Sequence, residues 1–253
     1  MPTVPSSAEA LRIERLGCVR GGRWLFRDLS VELRAGRALA LRGANGSGKS
    51  SLLRAIAGLL PIKTGVIDRP SGFAYLAHQN GLNLDLTVEE NLVFARRIAG
   101  LGGGADAGDG IEGGPASRAA IAPVAAAAAA AATAAATDHG LRACSIAEAL
   151  DAVDLRELAP LQVRRLSQGQ RRRLALARVA MSGQSLWLLD EPTAALDTDG
   201  EARFHALLDA HLSAGGLAVV ATHHPLALPL ERLIDLDLDA HRVHARHADA
   251  VPA

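Results

Sequence analysis

The chain has 253 residues with 27 basic and 27 acidic side chains, a formal net charge of zero, and 49% hydrophobic composition. A neutral chain argues against general electrostatic capture of nucleic acid, while its length and apolar content support one large domain or two small ones with a real core. Cys18 and Cys144 are too few and too far apart for a disulfide framework or a zinc site, and "MPTVPSSAEALRIERLG" lacks the basic and apolar regions of an export signal, so a cytosolic protein is expected.

In chain order, Leu29, Val31 and Leu33 alternate onto one face of a predicted strand, and Ala35-Gly36 reads as a turn. The apolar run from Ala38 to Leu41 then leads into Gly43-x4-Gly48-Lys49-Ser50, and Leu52 to Ala57 follow as a helix. Strand, glycine-rich loop and helix are the context a phosphate-binding loop requires. Gly43, Gly46 and Gly48 permit dihedrals closed to other residues, so the backbone from Gly43 through Ala44, Asn45, Gly46, Ser47, Gly48, Lys49 and Ser50 to Ser51 can turn its N–H groups toward phosphate oxygens. The helix opening at Lys49 adds its positive dipole end. Lys49 is placed to reach the β- and γ-phosphates and the Ser50 hydroxyl to complete a Mg²⁺ shell. Lysine is otherwise almost absent: only Lys49 and Lys63 remain. A planar guanidinium does not replace an ammonium at such a loop.

From about Gly100 to Gly140 the sequence loses all periodicity, running from "LGGGADAGDGIEGGP" into "AAIAPVAAAAAAAATAAAT". Its alanine content and Pro123 make it a poor membrane span; part of it after Pro123 is expected to be helical, with no apolar stripe to hold it to the body. It reads as an insertion of about forty residues, far longer than ordinary loops.

In "RRLSQGQRRRLALAR", residues 164 to 178, Ser167 is placed to N-cap a helix whose first N–H groups, including that of Gly169, form a second phosphate site. A capped helix with a basic face is the alternative, and Arg171-Arg172-Arg173 reads as a solvated face. "SLWLLD" (Ser185 to Asp190) and "LAVVATH" (Leu217 to His223) are continuous apolar runs, the pattern of parallel strands buried on both faces. The helical stretch from Gly200 to Gly216 separates them, giving an α/β core. Asp190 and Glu191 fall at a strand's carboxyl end, where such sheets place ligands. Asp190 is the expected Mg²⁺ partner and Glu191 the general base that polarises the attacking water; a strand-end helix cap is the alternative. "LIDLDLD" then alternates like an edge strand, and His241, His244 and His247 read as a solvated tail rather than metal or haem ligands.

Leu166-Ser167-Gln168-Gly169-Gln170 resembles the LSGGQ signature of ATP-binding-cassette (ABC) ATPases, with glutamine at its variable third place. The family's other stations follow in order: Gln79 in "YLAHQNG" matches the Q-loop glutamine, "TAALD" the D-loop with Asp197, and His223 in "ATHHP" the switch histidine, with His224 beside it structural. The resemblance covers nearly the whole chain apart from the insertion and the last dozen residues. It implies a P-loop NTPase of ABC type in the α/β class, with a RecA-like mixed sheet core, an N-terminal antiparallel β subdomain and a helical subdomain. A single ABC ATPase domain over residues 8–245 is expected, its helical subdomain at about 84–175 containing the insertion at 100–140. Catalysis falls to Glu191 and His223, and Mg²⁺ to Ser50, Gln79 and Asp190. Ser167, Gln168, Gly169 and Gln170 would act on ATP held by the loop of a second chain, giving a head-to-tail homodimer with Asp197 at the seam. Counting back from the loop, the family's adenine-stacking aromatic position is Arg20, whose guanidinium can stack on a purine. Trp24 is the alternative, although its alternation with Phe26 suggests packing.

"CVRGGRWLF", "AHQNGL" and "THHPL" are similar to stretches of the ATP-binding subunits of cytochrome c biogenesis (haem export) complexes. That branch implies membrane subunits of CcmB and CcmC type, a peripheral position on the cytoplasmic face of the bacterial inner membrane, and no nucleic-acid partner. Its work would be haem export or release of a haem-loaded chaperone. The insertion departs from the branch pattern, but its place in the helical subdomain spares the catalytic stations. An ATPase subunit of another ABC transporter, for a drug, metal or polysaccharide, would share every motor motif. Deletion of residues 101–138 should leave ATPase turnover within about threefold, because a low-complexity surface insertion carries little packing. Loss of cooperative unfolding in the deleted protein would contradict that reading.

Overall fold

The computed structural model describes residues 10–98 and 143–241. The insertion at 100–140, with its expected alanine helix, and His244 and His247 of the tail therefore lie outside the described residues. Strands β1 (Ala10–Arg20), β2 (Arg23–Arg34) and β4 (Thr64–Asp68) form an antiparallel sheet in the order β2-β1-β4. Leu11 and Ile13 face inward, then the pairing shifts at Arg15, whose φ of 46° is left-handed, and the inward phase resumes at Leu16 and Cys18. That extra residue is a β-bulge, which re-aims the strand without exposing its apolar side. On β2, Leu29 and Leu33 are buried and Val31 half-buried, the expected face.

The second sheet comprises β3 (Ala38–Arg42), β5 (Phe73–Leu76), β6 (Leu186–Asp190), β7 (Leu217–Ala221) and β8 (Leu233–Asp237), in the order β5-β6-β7-β3-β8. The core sheet, expected to be mixed, pairs in parallel throughout these strands, and among the described residues antiparallel ladders are confined to the first sheet. The reason is that every strand returns by a crossover long enough to restart on the same edge. β6 and β7 are buried at every position and β8 takes the edge, as their sequences imply.

Alternate residues of the parallel sheet feed two cores. Leu39, Leu41, Leu188 and Val219 face the antiparallel sheet and α1 (Lys49–Ile56). Ala40, Trp187, Leu189 and Val220 face the helices α2 (Val88–Ile98), α3 (Ile146–Ala152), α4 (Gln168–Met181) and α5 (Thr198–Ser213). Helix α5 buries Phe204, Leu208, His211 and Leu212, a helical stripe.

His211 stacks on Trp187 with ring centroids 3.9 Å apart, and its Nε2 donates to the Leu217 carbonyl at 3.1 Å. A Cβ on Gly216 would fall 2.3 Å from this imidazole, so the close approach needs glycine. Burial pushes the His211 pKa down to about 4, and the bond to Leu217 opposes that shift without cancelling it. With the folded value below the ordinary 6.5, the unfolded chain binds more protons between pH 6.5 and 4, and stability falls as pH falls through that window. Urea midpoints should therefore lose the equivalent of about 2 kcal/mol between pH 7.5 and 5 through this residue, a loss absent in His211→Phe. An identical pH slope in the two proteins would show that His211 does not titrate as inferred.

Candidate functional site

Because β3, β5, β6 and β7 run parallel as neighbours, the loops after them leave the same edge of the sheet. These loops carry the glycine-rich segment, Gln79, Glu191 and His223 respectively. Gly43, Gly46 and Gly48 have φ of 132°, 81° and 106°, the left-handed conformations for which glycine was expected. A Cβ on Gly48 would also sit 3.2 Å from the Phe26 ring, so β2 packs directly against the loop.

The centre of the site is His223 Nε2. It lies 3.2 Å from Lys49 Nζ, 3.1 Å from Asn45 Oδ1 and 3.5 Å from Glu191 Oε1. Lys49 is buried and also donates to the Gly43 carbonyl at 2.7 Å and the Ala44 carbonyl at 3.3 Å. An ammonium only donates, so its contact requires Nε2 to accept, whereas Asn45 Oδ1 and Glu191 Oε1 require Nε2 to donate. One proton on Nε2 cannot satisfy all three neighbours at once.

Asp190 ends β6 and is buried, and Glu191 follows with a left-handed φ of 47° and its N–H donated to the Ala221 carbonyl at 2.8 Å. Ser50 and Ser51 lie in the first turn of α1, half-buried and buried, and Ser47 is buried within the loop. Gln79 is exposed on the loop after β5. Ser167 caps α4 as anticipated: its Oγ accepts from the Gln170 N–H at 3.1 Å while Gln170 Oε1 accepts from the Ser167 N–H at 2.9 Å. Gly169 passes close to the Ala195 carbonyl, 2.7 Å from where a Cβ would stand. Asp197 caps α5, accepting from the Gly200 N–H at 2.8 Å. Ser167 and Asp197 thus bond within their own helix caps, apart from the cluster at His223. Arg20 is exposed at the end of β1. Trp24 is half-buried against Gly17 with the Arg27 guanidinium 4.4 Å from its ring centroid, in keeping with a packing role.

The arginines correct one expectation. Arg171, Arg172 and Arg173 are not a solvated face, because α4 is packed by α2, α3, α5 and β5 and buries most of its circumference. Arg171 donates to the carbonyls of Val163 and Arg164, and Arg173 to that of Val153. Arg172 is 3% exposed and reaches carbonyls on both sides of the site. Burial lowers its pKa to about 10, with Asp190 and Glu191 acting in the opposite direction, so it is charged at neutral pH.

Two further residues escaped the sequence reading. Arg42 Nη1 donates to the His224 carbonyl at 2.6 Å while its Nε meets Asp235 Oδ1 at 3.1 Å, fixing the turn that presents His223. Asp239 Oδ2 accepts from the Ala44 N–H at 2.7 Å, tying the segment after β8 to the glycine loop. Both positions are distant in sequence from what they hold, and no local pattern marks them.

The chain matches the ABC transporter family over residues 26–194. It is 40% identical over 227 residues to the cytochrome c biogenesis ATP-binding export protein CcmA of Paracoccus denitrificans, covering 89% of this chain and 88% of that protein. The protein of the same description from Rhodopseudomonas palustris is 40% identical over 227 residues, covering 86% of this chain and 94% of its own length. A nucleotide-free ATP-binding cassette from an ABC transporter superposes with a TM-score of 0.62 at 19% identity, covering 91% of this chain and 88% of that one, a likeness of fold. With a family match across both sheets and relatives aligned nearly end to end, the chain belongs to the ABC transporter family, among its ATP-hydrolysing subunits.

Proposed function

We propose that this ATPase is the motor subunit of a cytochrome c biogenesis exporter. The observation that carries the assignment is the 40% identity to CcmA proteins along almost the full length of both chains. It works as a single ABC ATPase domain over residues 8–245, with a helical subdomain at about 84–175. Two copies act head to tail beneath membrane subunits of CcmB and CcmC type, peripheral to the cytoplasmic face of the bacterial inner membrane. The cargo step is haem export or release of a haem-loaded chaperone; either is driven by the same closure and opening.

The glycine loop from Gly43 to Ser51 and the dipole of α1 hold the ATP phosphates, with Lys49 against the terminal ones. Arg20 stacks on adenine. Ser50, Asp190 and Gln79 offer hydroxyl, carboxylate and amide oxygens, the hard donors Mg²⁺ prefers. When bound, Mg²⁺ neutralises charge on the phosphate oxygens. Once Lys49 is drawn to phosphate, His223 Nε2 is relieved of its ammonium neighbour and can donate to the γ-phosphate, leaving Glu191 to polarise water as general base. Ser167, Gln168, Gly169 and Gln170 complete the site of the opposite copy, with Asp197 at the seam.

Glu191→Gln should retain nucleotide binding and lower turnover by about 10²–10⁴-fold, whereas Lys49→Ala should lose affinity first. In the presence of the membrane subunits and saturating ATP, Glu191→Gln should collect as a dimer by light scattering; a monomer would refute the clamp. Co-purification identifies the branch: recovery of membrane subunits of a drug, metal or polysaccharide transporter would replace cytochrome c biogenesis.

A further inference from the structure

We propose that Arg172 is a positioning residue that locks the loop bearing Gln79 to the strap bearing Glu191, so that the two loops move as one unit during hydrolysis. Its guanidinium is shared between them. On one side Nη1 donates to the Ala77 carbonyl at 3.0 Å and to Asn80 Oδ1 at 2.8 Å, residues that bracket Gln79. On the other side Nη2 donates to the Asp190 carbonyl and to the Glu191 carbonyl at 2.6 Å, and Nε to the Pro192 carbonyl at 3.2 Å. Five acceptors from two segments thus surround one planar fork.

The arrangement has a physical consequence for each loop. Glu191 holds a left-handed φ, a conformation unfavourable for a non-glycine residue that persists only where neighbours over-determine it. The bonds from Arg172 to the carbonyls of residues 190–192 and from the Glu191 N–H to the Ala221 carbonyl supply that determination. On the other loop, Arg178 adds bonds to the carbonyls of Asn80 at 2.9 Å and Gly81 at 2.6 Å, so Arg172 and Arg178 of α4 both grip the segment carrying Gln79. Beyond the pairing of β5 with β6 below them, the two segments are thus joined directly through a buried, charged side chain. Lysine would not substitute, since one ammonium lacks the two-sided planar donor set. The proposal deepens the site reading above and rests on Gln79 and Glu191 having the roles given there.

The test is a double-mutant cycle on the purified full-length chain, measuring ATP turnover and the affinity for a fluorescent ATP analogue. Arg172→Gln should lower kcat by about 10–100-fold while analogue affinity stays within about threefold, because misaligned groups lose rate before binding. Arg172→Lys should not restore it. Asn80→Ala, which removes one acceptor at a half-buried site, should lower kcat in the same direction by about threefold. Adding Gln79→Ala to Arg172→Gln should cost far less than Gln79→Ala costs alone, since the glutamine is already out of line. Multiplicative effects of the two substitutions, or a loss of affinity that parallels the loss of rate, would overturn the proposal. Should Arg172→Gln fail to fold, the cycle between Asn80→Ala and Gln79→Ala decides by the same criterion. Unchanged turnover in Glu191→Gln or in Gln79→Ala overturns the site reading itself, and this proposal with it; a slow Glu191→Gln with a multiplicative cycle overturns this proposal alone.

Discussion

Parallel pairing in fixed register is the constraint from which the site follows. Leu188 and Leu39 both stand opposite Val219, so the ends of β3, β6 and β7 are level, and the segments beyond them emerge side by side. Register is held by the two cores. A slip of one residue would drive Trp187 into the space of Leu188 and exchange every side chain on β6 between the helical core and the inter-sheet core. The approach of Lys49, Glu191 and His223 is thus paid for by hydrophobic packing below them, not by their own attraction. Of the three, only Lys49 is buried, and its hydrogen bonds to loop carbonyls offset its desolvation.

Above that edge, arginine takes over the work of holding loops. Arg42, Arg172 and Arg178 each donate to backbone carbonyls of segments that have no regular structure. A charged donor to a carbonyl contributes roughly 1.5–3 kcal/mol, more than a neutral pair, and the loss is greatest at Arg172, which is buried. The chain's preference for arginine over lysine suits this use, since the fork can span carbonyls that do not belong to one turn.

The legible parts of the sequence were those governed by local rules. Continuous apolar runs gave β6 and β7, alternation gave β2 and β8, and glycine spacing gave the left-handed turns of the loop after β3. The Ser167 cap was equally plain from its spacing to Gln170. Arg172 was not, because polarity along a helix says which residues prefer water and nothing about whether water is there. Helix α4 is enclosed by elements that precede and follow it in the chain, so the burial of Arg172 is a tertiary fact. The same holds for Asp239, separated by 195 positions from the Ala44 N–H it accepts. The pairing of β3 with β7 and β8 likewise joins segments whose order no local pattern records.

Ser167 and Asp197 stand at the starts of α4 and α5 with their side chains already bonded to the first turn. Such caps oppose fraying by roughly 0.5–2 kcal/mol each, so the exposed segments they anchor are held in shape before any contact is made. Whatever meets this surface encounters a finished template, so little chain entropy is spent on contact and the association rate is governed by orientation rather than by ordering. Loosening either cap would leave the interior of the domain intact yet make every encounter wait for the surface to form.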